Sequence, residues 1–200
     1  MPRHVIRNGR VLGDIWRSLV PRPDENPETV PLPEGPLAVS LPVWRARRVE
    51  LLARSTPVGV RLEPGDEPAE IAPDLPRLAL VAVHFPKFAD GRGYSTASLL
   101  RRRHGYRGEL RAVGDVLRDQ IFHLQRCGFD SFQLREGTDP HAALPSLADF
   151  SVAYQAAADG RGPRFRRDAA QAEAAGEFRD PASVRAPDLL PIAMQGRNHG

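Results

Sequence analysis

The residues best suited to chemistry fall in one stretch, His84-Phe85-Pro86-Lys87-Phe88-Ala89-Asp90-Gly91-Arg92-Gly93-Tyr94-Ser95, and in the later dipeptide Gly114-Asp115. Lys87 and Arg92 supply positive charge, while Gly91 and Gly93 let backbone N–H groups come close to a ligand. Ser95 is placed to cap a helix whose N-terminus carries partial positive charge. With Tyr94 and Ser95 positioning, and Asp115 pairing with Lys87 or Arg92 across the mouth, these are the parts of an anion site. The ligand-binding candidates are therefore Lys87, Asp90, Gly91, Arg92, Tyr94, Ser95, Gly114 and Asp115. His84, whose imidazole is the side-chain type suited to acid or base work, and Asp115 are the acid/base candidates. A plainer reading competes. Asp90-Gly91 is then an ordinary turn, Lys87 and Arg92 are solvated, Asp115 caps a helix, His84 is structural, and Phe85, Phe88 and Tyr94 pack the sheet edge. Asp-Gly-Arg-Gly recurs at 159–162, which favours the plainer reading. No phosphate-binding loop, dinucleotide fingerprint or nucleophile elbow is present.

Composition narrows the rest. The 28 basic residues include one lysine, Lys87, and it follows Pro86, the one proline between positions 77 and 138 among 20 in the chain. A single cysteine, Cys127, excludes an internal disulfide, a cysteine-based zinc site and an iron–sulfur cluster held by this chain alone. Neither a metal nor a cofactor is expected. Cys127 sits where a helix ends, so the dipole disfavours its thiolate. The N-terminus lacks an apolar core of signal-peptide length, and the longest apolar run, Leu78 to Val83, is far shorter than the ~20 residues of a spanning helix. A cytoplasmic protein without membrane contact is expected. The net charge of +3 is too small to indicate nucleic-acid binding. Its distribution is lopsided: nine basic against four acidic residues from 87 to 126, six against ten from 21 to 76. The middle of the chain is thus anion-friendly.

Two hundred residues suit one domain. Residues 1–35 read as a hairpin turned by Asn8-Gly9, followed by a proline-rich acidic linker. Residues 36–158 read as a single α/β domain. Leu37–Leu41 and Val58–Leu62 are strands, with a helix opened by Pro42 between them and running to about Arg54. LALVAVHF, 78–85, is apolar on both faces, as a strand inside a parallel sheet must be. Helices follow from Ser95 to His104, from Asp115 to Cys127 and from Ser146 onward, with strands at 109–113 and 129–134 between them. On the second helix Asp119 and His123 make a surface pair. This β-α-β-α-β order predicts a mainly parallel sheet with right-handed crossovers, either a doubly wound open sheet or a partial β/α barrel. In both, ligands bind beyond the carboxyl ends of the strands, where the two candidate loops meet. Arg101, Arg102, Arg103 and Arg107 form a basic face, solvated or docked on an acidic partner. From 159 to 200 periodicity is lost and a flexible tail is expected.

The segments FPKFADGRGYS (85–95), GYRGELRAVGDVLRDQ (105–120) and RCGFDSFQL (126–134) resemble the signature blocks of a bacterial domain-of-unknown-function family, number nine-three-four. Pro86, Lys87, Asp90, Gly91, Arg92, Tyr94, Ser95, Gly114, Asp115 and Gln120 match its pattern. The resemblance implies a context, since such proteins are typically encoded beside the haem-type sulfite reductase of assimilatory sulfate reduction. It implies an auxiliary, oxidoreductase-associated subunit without a redox centre of its own, acting with sulfite reductase through docking or anion handling. The alternative is an independent enzyme or binding protein for a small phosphorylated or sulfated metabolite.

Overall fold

The structure, a computed structural model, describes residues 3–147. Eight strands make one sheet: β1 (His4–Arg7), β2 (Arg10–Gly13), β3 (Arg17–Leu19), β4 (Leu37–Ser40), β5 (Val58–Leu62), β6 (Leu80–Phe85), β7 (Glu109–Gly114) and β8 (Ser131–Phe132). Their spatial order is β2-β1-β8-β7-β6-β5-β4-β3. The pairings from β3 through β8 are all parallel, and only the β1–β2 hairpin is antiparallel to its neighbours. Asn8 and Gly9 both take positive φ, +50° and +73°, the pairing a tight type I′ hairpin turn requires.

The strand order decides between the two parallel architectures. A doubly wound sheet reverses direction once, whereas here each successive strand from β3 to β8 is added on the same side of the last. Crossovers of one hand then leave every connecting helix on one face, which is the arrangement of a partial β/α barrel. The side chains agree. Val39, Val60, Val81, Val83, Leu110, Ala112 and Phe132 share one core with Trp44 and Leu51 of α1 (Leu41–Leu52), Ala97 of α2 (Arg92–Ser98) and Leu124 of α3 (Ile121–Cys127). On the helix-free face lies a small apolar cluster of Trp16, Ala38 and Leu80.

The sheet must also curl. β2 and β3 occupy opposite edges, seven strand spacings apart, or about 34 Å if flat. Yet only residues 14–16 join them, and four Cα steps reach at most about 15 Å. The joining segment therefore crosses the helix-free face as a strap. Asp14 bonds Arg111 of β7 at 2.8 Å, and Trp16 packs on Ala38 and Leu80. The 21–35 segment is likewise tied in, with Val30 in the main core.

Several local expectations are corrected. α2 starts at Arg92, so Ser95 lies inside the helix and does not cap it; Asp90 Oδ1 accepts from Arg92 N at 3.1 Å and starts the helix earlier. A π-helical turn, Leu99–Arg103, extends α2 before Gly105. The helix expected from Asp115 begins as a 3-10 turn at Arg118–Gln120 and continues as α3; its first bond comes from Leu117 N to Gln120 Oε1, 2.9 Å, and Asp115 caps nothing. The strand expected over 129–134 is regular only at Ser131–Phe132, though single bonds from Asp130 N to Leu110 O and from Gln133 N to Ala112 O carry the pairing further. Ser146 sits in a 3-10 turn, Leu144–Leu147, that follows α4 (Pro140–Ala143), which Asp139 caps. The rest of the helix expected from Ser146, and the 159–200 tail, lie outside the described residues. Among the described residues no helix is long and apolar enough to cross a membrane.

Candidate functional site

The expected loop between β6 and α2 is held by its own polar groups. Arg92 makes a two-pronged ion pair with Asp90, at 2.6 and 3.0 Å. The Arg92 guanidinium, first through these hydrogen bonds, draws the Asp90 carboxyl down to about 2. Asp115 does not reach Lys87 or Arg92. It accepts a hydrogen bond from Phe88 N at 2.9 Å and pairs with Arg135 at 3.1 Å. Gln120 donates to Phe88 O at 3.2 Å and to Tyr94 Oη at 3.3 Å. Both main-chain groups of Phe88 are thereby fixed, while its side chain is 51% exposed. Lys87 beside it is exposed and forms no ion pair among the described residues. Gly93 is buried, and its missing side chain makes room for the Phe85 ring, which a Cβ would meet at 2.5 Å; it offers no N–H surface to a ligand. Tyr94 stacks edge-on against Phe85 and lies against His123, and burial raises its hydroxyl pKa. Gly91 and Ser95 are exposed on the rim. Arg118 is the ion-pair partner of Asp119, at 3.9 Å.

His84 points the other way. Strand alternation puts Val83 and Phe85 under the helices and Ala82 and His84 on the helix-free face. Here a cavity of about 200 Å³ is lined by Arg3, Asp14, Arg17, Arg61, His84 and Arg111, among others. His84 Nδ1 lies 2.5 Å from Glu63 Oε2. An ionised carboxylate only accepts, so Nδ1 carries the hydrogen and Nε2 is left as the acceptor of the neutral ring. Burial pushes the Glu63 carboxyl up, but the His84 hydrogen bond and Arg61 outweigh it and hold it below the usual range. Gly114 makes this placement possible. Its φ is +99°, and a Cβ would stand 2.4 Å from Phe85 O and 2.6 Å from His84 Cδ2, so the imidazole lies directly over it.

Beneath His84 runs a buried charge network. The Arg111 side chain is 4% exposed and the Asp14 and Glu109 side chains 2% each. Arg111 donates to Glu109 Oε1 at 2.6 and 2.9 Å and to Asp14 Oδ1 at 2.8 Å. Arg7 reaches Glu109 Oε2 at 3.0 Å, and Arg61 pairs with Glu63 at 2.8 Å. Arg3 donates to Trp16 O at 3.2 Å, and Arg17 makes no ion pair among the described residues. Arg3, Arg7, Arg61 and Arg111 thus face Asp14, Glu63 and Glu109, one more positive charge than negative before His84 is counted, while Arg17, level with Leu37 of the helix-side core, meets the cavity only at its rim.

The candidates therefore divide. Lys87, Asp90, Arg92, Tyr94 and Asp115 gather at the loop, whereas His84 and Gly114 belong to the cavity on the opposite face. Glu63, Arg61, Arg111, Asp14, Arg3 and Arg17 escaped the sequence reading. A signal existed: VGVRLE (58–63) and ELRAVG (109–114) place charged residues two apart inside apolar strands, the mark of a polar inner face. Arg101, expected on a solvated or docking face, is consumed structurally. It donates to Gly128 O, Tyr106 O and Gly108 O at 2.8, 2.8 and 2.9 Å, pairs with Asp130 at 2.8 Å and covers the Tyr106 ring. Burial pushes the Cys127 thiol up.

Neither a curated protein nor a solved structure matches the chain. Residues 59–165, which include the loop, Gly114, Asp115, Gln120 and both partners of the imidazole–carboxylate pair, match the family described as "Bacterial protein of unknown function (DUF934)"; the match covers more than half of the 200 residues, and the chain belongs to that family.

Proposed function

We propose that the chain is an auxiliary protein of assimilatory sulfite reduction that docks on sulfite reductase through the Lys87–Phe88 tip. The pathway and the partner come from the family resemblance. What supports docking in the geometry is one observation: Phe88 is exposed although both its N–H and its C=O are pinned, by Asp115 and Gln120. An exposed aromatic on a fixed main chain, with a cation beside it, is a low-entropy anchor of the kind that dominates interfaces. A turn serving only the fold has no need to hold an apolar ring in water. Gln120 and Asp115 are both part of the family blocks, and both act on this one residue. As an anion cradle the loop is less apt, because Arg92 is already bound to Asp90 and only Lys87 keeps an unpaired charge there.

The test is binding of the full chain to purified haem-type sulfite reductase, read by surface plasmon resonance and by the rate of sulfite reduction. Phe88→Ala should weaken association by about 30-fold, the equivalent of ~2 kcal/mol for an anchor residue. Gln120→Ala, which frees the tip without removing the ring, should weaken it by a smaller factor. Lys87→Ala should lose most at low salt. No association, or association indifferent to Phe88→Ala, overturns the proposal.

A further inference from the structure

We propose that the cavity on the helix-free face is a binding site for a small inorganic oxyanion, in which the Glu63–His84 pair donates a proton-bearing contact. This site is separate from the docking tip and does not depend on a partner.

Four features carry the inference. Arginines from separate parts of the chain converge on the same space: Arg3 before β1, Arg61 on β5 and Arg111 on β7. Like charges converge at a cost unless something neutralises them. The protein's own carboxylates do so only in part: Asp14 and Glu109 hold Arg111, and Glu63 holds Arg61, while Arg3 has no carboxylate partner among the described residues and bonds the Trp16 carbonyl oxygen. Next, the volume of about 200 Å³ suits an ion of four or five heavy atoms and is smaller than the ~300–1,000 Å³ typical of pockets for larger ligands. The position also fits, since His84, Gly114 and Gln133 line the cavity at the carboxyl ends of β6, β7 and β8, where β/α barrels bind their ligands.

His84 adds chemistry that a cluster of arginines lacks. Glu63 fixes the ring with Nδ1 protonated, so a neutral His84 presents a lone pair at Nε2, which would repel an anion. Once His84 takes up a proton, Nε2 becomes a donor and the imidazolium is held between Glu63 and the ligand. Binding of an anion to the neutral ring is thus accompanied by proton uptake. The charges facing His84 are of both signs: Glu63 at Nδ1, Arg61 beside it, Arg3 and Arg111 across the cavity, and Asp14, which is spent on Arg111. An anion bound among the arginines adds a second negative charge beside the ring and so favours the imidazolium in the complex.

Isothermal titration of the full chain with sulfite, sulfate and phosphate, in two buffers of different ionisation enthalpy at pH 7.5, tests both statements. At least one of the three should bind with one site per chain and with net proton uptake. His84→Gln should abolish the uptake and weaken binding tenfold or more. Arg3→Gln, a change ahead of β1 that spares every ion pair of the network, should weaken binding by at least fivefold and keep the uptake. Lys87→Ala, on the docking tip, should leave affinity within twofold. No binding of any of the three ions overturns the site, as does an affinity that His84→Gln and Arg3→Gln leave within twofold. Binding without proton uptake overturns the role given to His84. None of these results bears on whether Phe88 docks on the reductase.

Discussion

The pair formed by Asp14 and Arg111 can be taken apart in a way that reverses the usual sense of a second mutation. Arg111 balances two buried carboxylates, Asp14 directly and Glu109 jointly with the half-exposed Arg7. Arg111→Met leaves Asp14 ionised, 2% exposed and without a cation. Breaking a buried pair in this way costs about 3–5 kcal/mol, a large share of the ~5–15 kcal/mol by which a domain is stable. Asp14→Asn alone is milder. The amide oxygen still accepts from Arg111 and from Trp16 N, which bonds Asp14 Oδ1 at 3.1 Å, so only the charge assistance is lost, about 1–2 kcal/mol. Adding Asp14→Asn to Arg111→Met should then restore stability, because it removes the stranded charge and keeps the hydrogen bond to Trp16. The double variant is expected to be more stable than Arg111→Met by at least ~1 kcal/mol, a coupling of about 2–3 kcal/mol in the cycle. Urea unfolding followed by tryptophan fluorescence measures all four proteins, and Trp16, on the strap itself, reports the local environment. A double variant no more stable than Arg111→Met would refute the claim that the strap is held by this charge balance.

Two further outcomes are expected. Arg101→Ala strands three carbonyls and the half-buried carboxylate of Asp130, which burial pushes above its ordinary pKa; it should destabilise by about 2–3 kcal/mol in the same assay, the cost of lost hydrogen bonds from a charged donor, whereas Arg102→Ala should be within ~0.5 kcal/mol. For Asp90, an NMR titration of the side-chain carboxyl should find a midpoint at about 2, and Arg92→Ala should bring it back toward the ordinary value near ~3.9. Because the folded value is depressed, the pair favours the ordered loop at all pH values above the ordinary range and stops doing so as pH falls to about 2. The pair is solvent-exposed, so global unfolding should not register it.

The pattern of apolar residues reveals most of the parallel strands and the helix behind Pro42, since β6 is buried on both faces and its apolar run is nearly continuous. Helix starts were less legible. Ser95 and Asp115 are good caps by residue type, but Asp90 begins its helix sooner and Asp115 is drawn across to Phe88 N, a contact 27 residues away that no local pattern reports. The choice between open sheet and partial barrel was not legible either, because it depends on the order in which strands pair, and β-α-β spacing is the same in both. The inner face of the sheet was hidden for a related reason. Arg61, Glu63, Glu109 and Arg111 read as ordinary charges until the register aligns Arg61 with Ala82, and Ala82 with Arg111, on one side. His84 was found by type alone, and its carboxylate partner needed the pairing of β5 with β6.

The pairing of the first strand with the last has a consequence for how the protein is made. Beyond its hairpin partner β2, β1 gains a neighbour only when β8 exists, and the contact between Asp14 and Arg111 spans 97 residues. A chain leaving the ribosome therefore carries its N-terminal hairpin unpaired until nearly the whole sheet has been synthesised. β3 is in a similar position on the other side, for it adds to β4 only after the 21–35 segment has followed it out. Contacts of such long separation slow folding, and the strap, made early, has its charged partner only once Arg111 of β7 follows. A nascent chain stopped short of β7 would hold Arg61 and Glu63 with neither Arg111 for the strap nor a sheet edge for the hairpin.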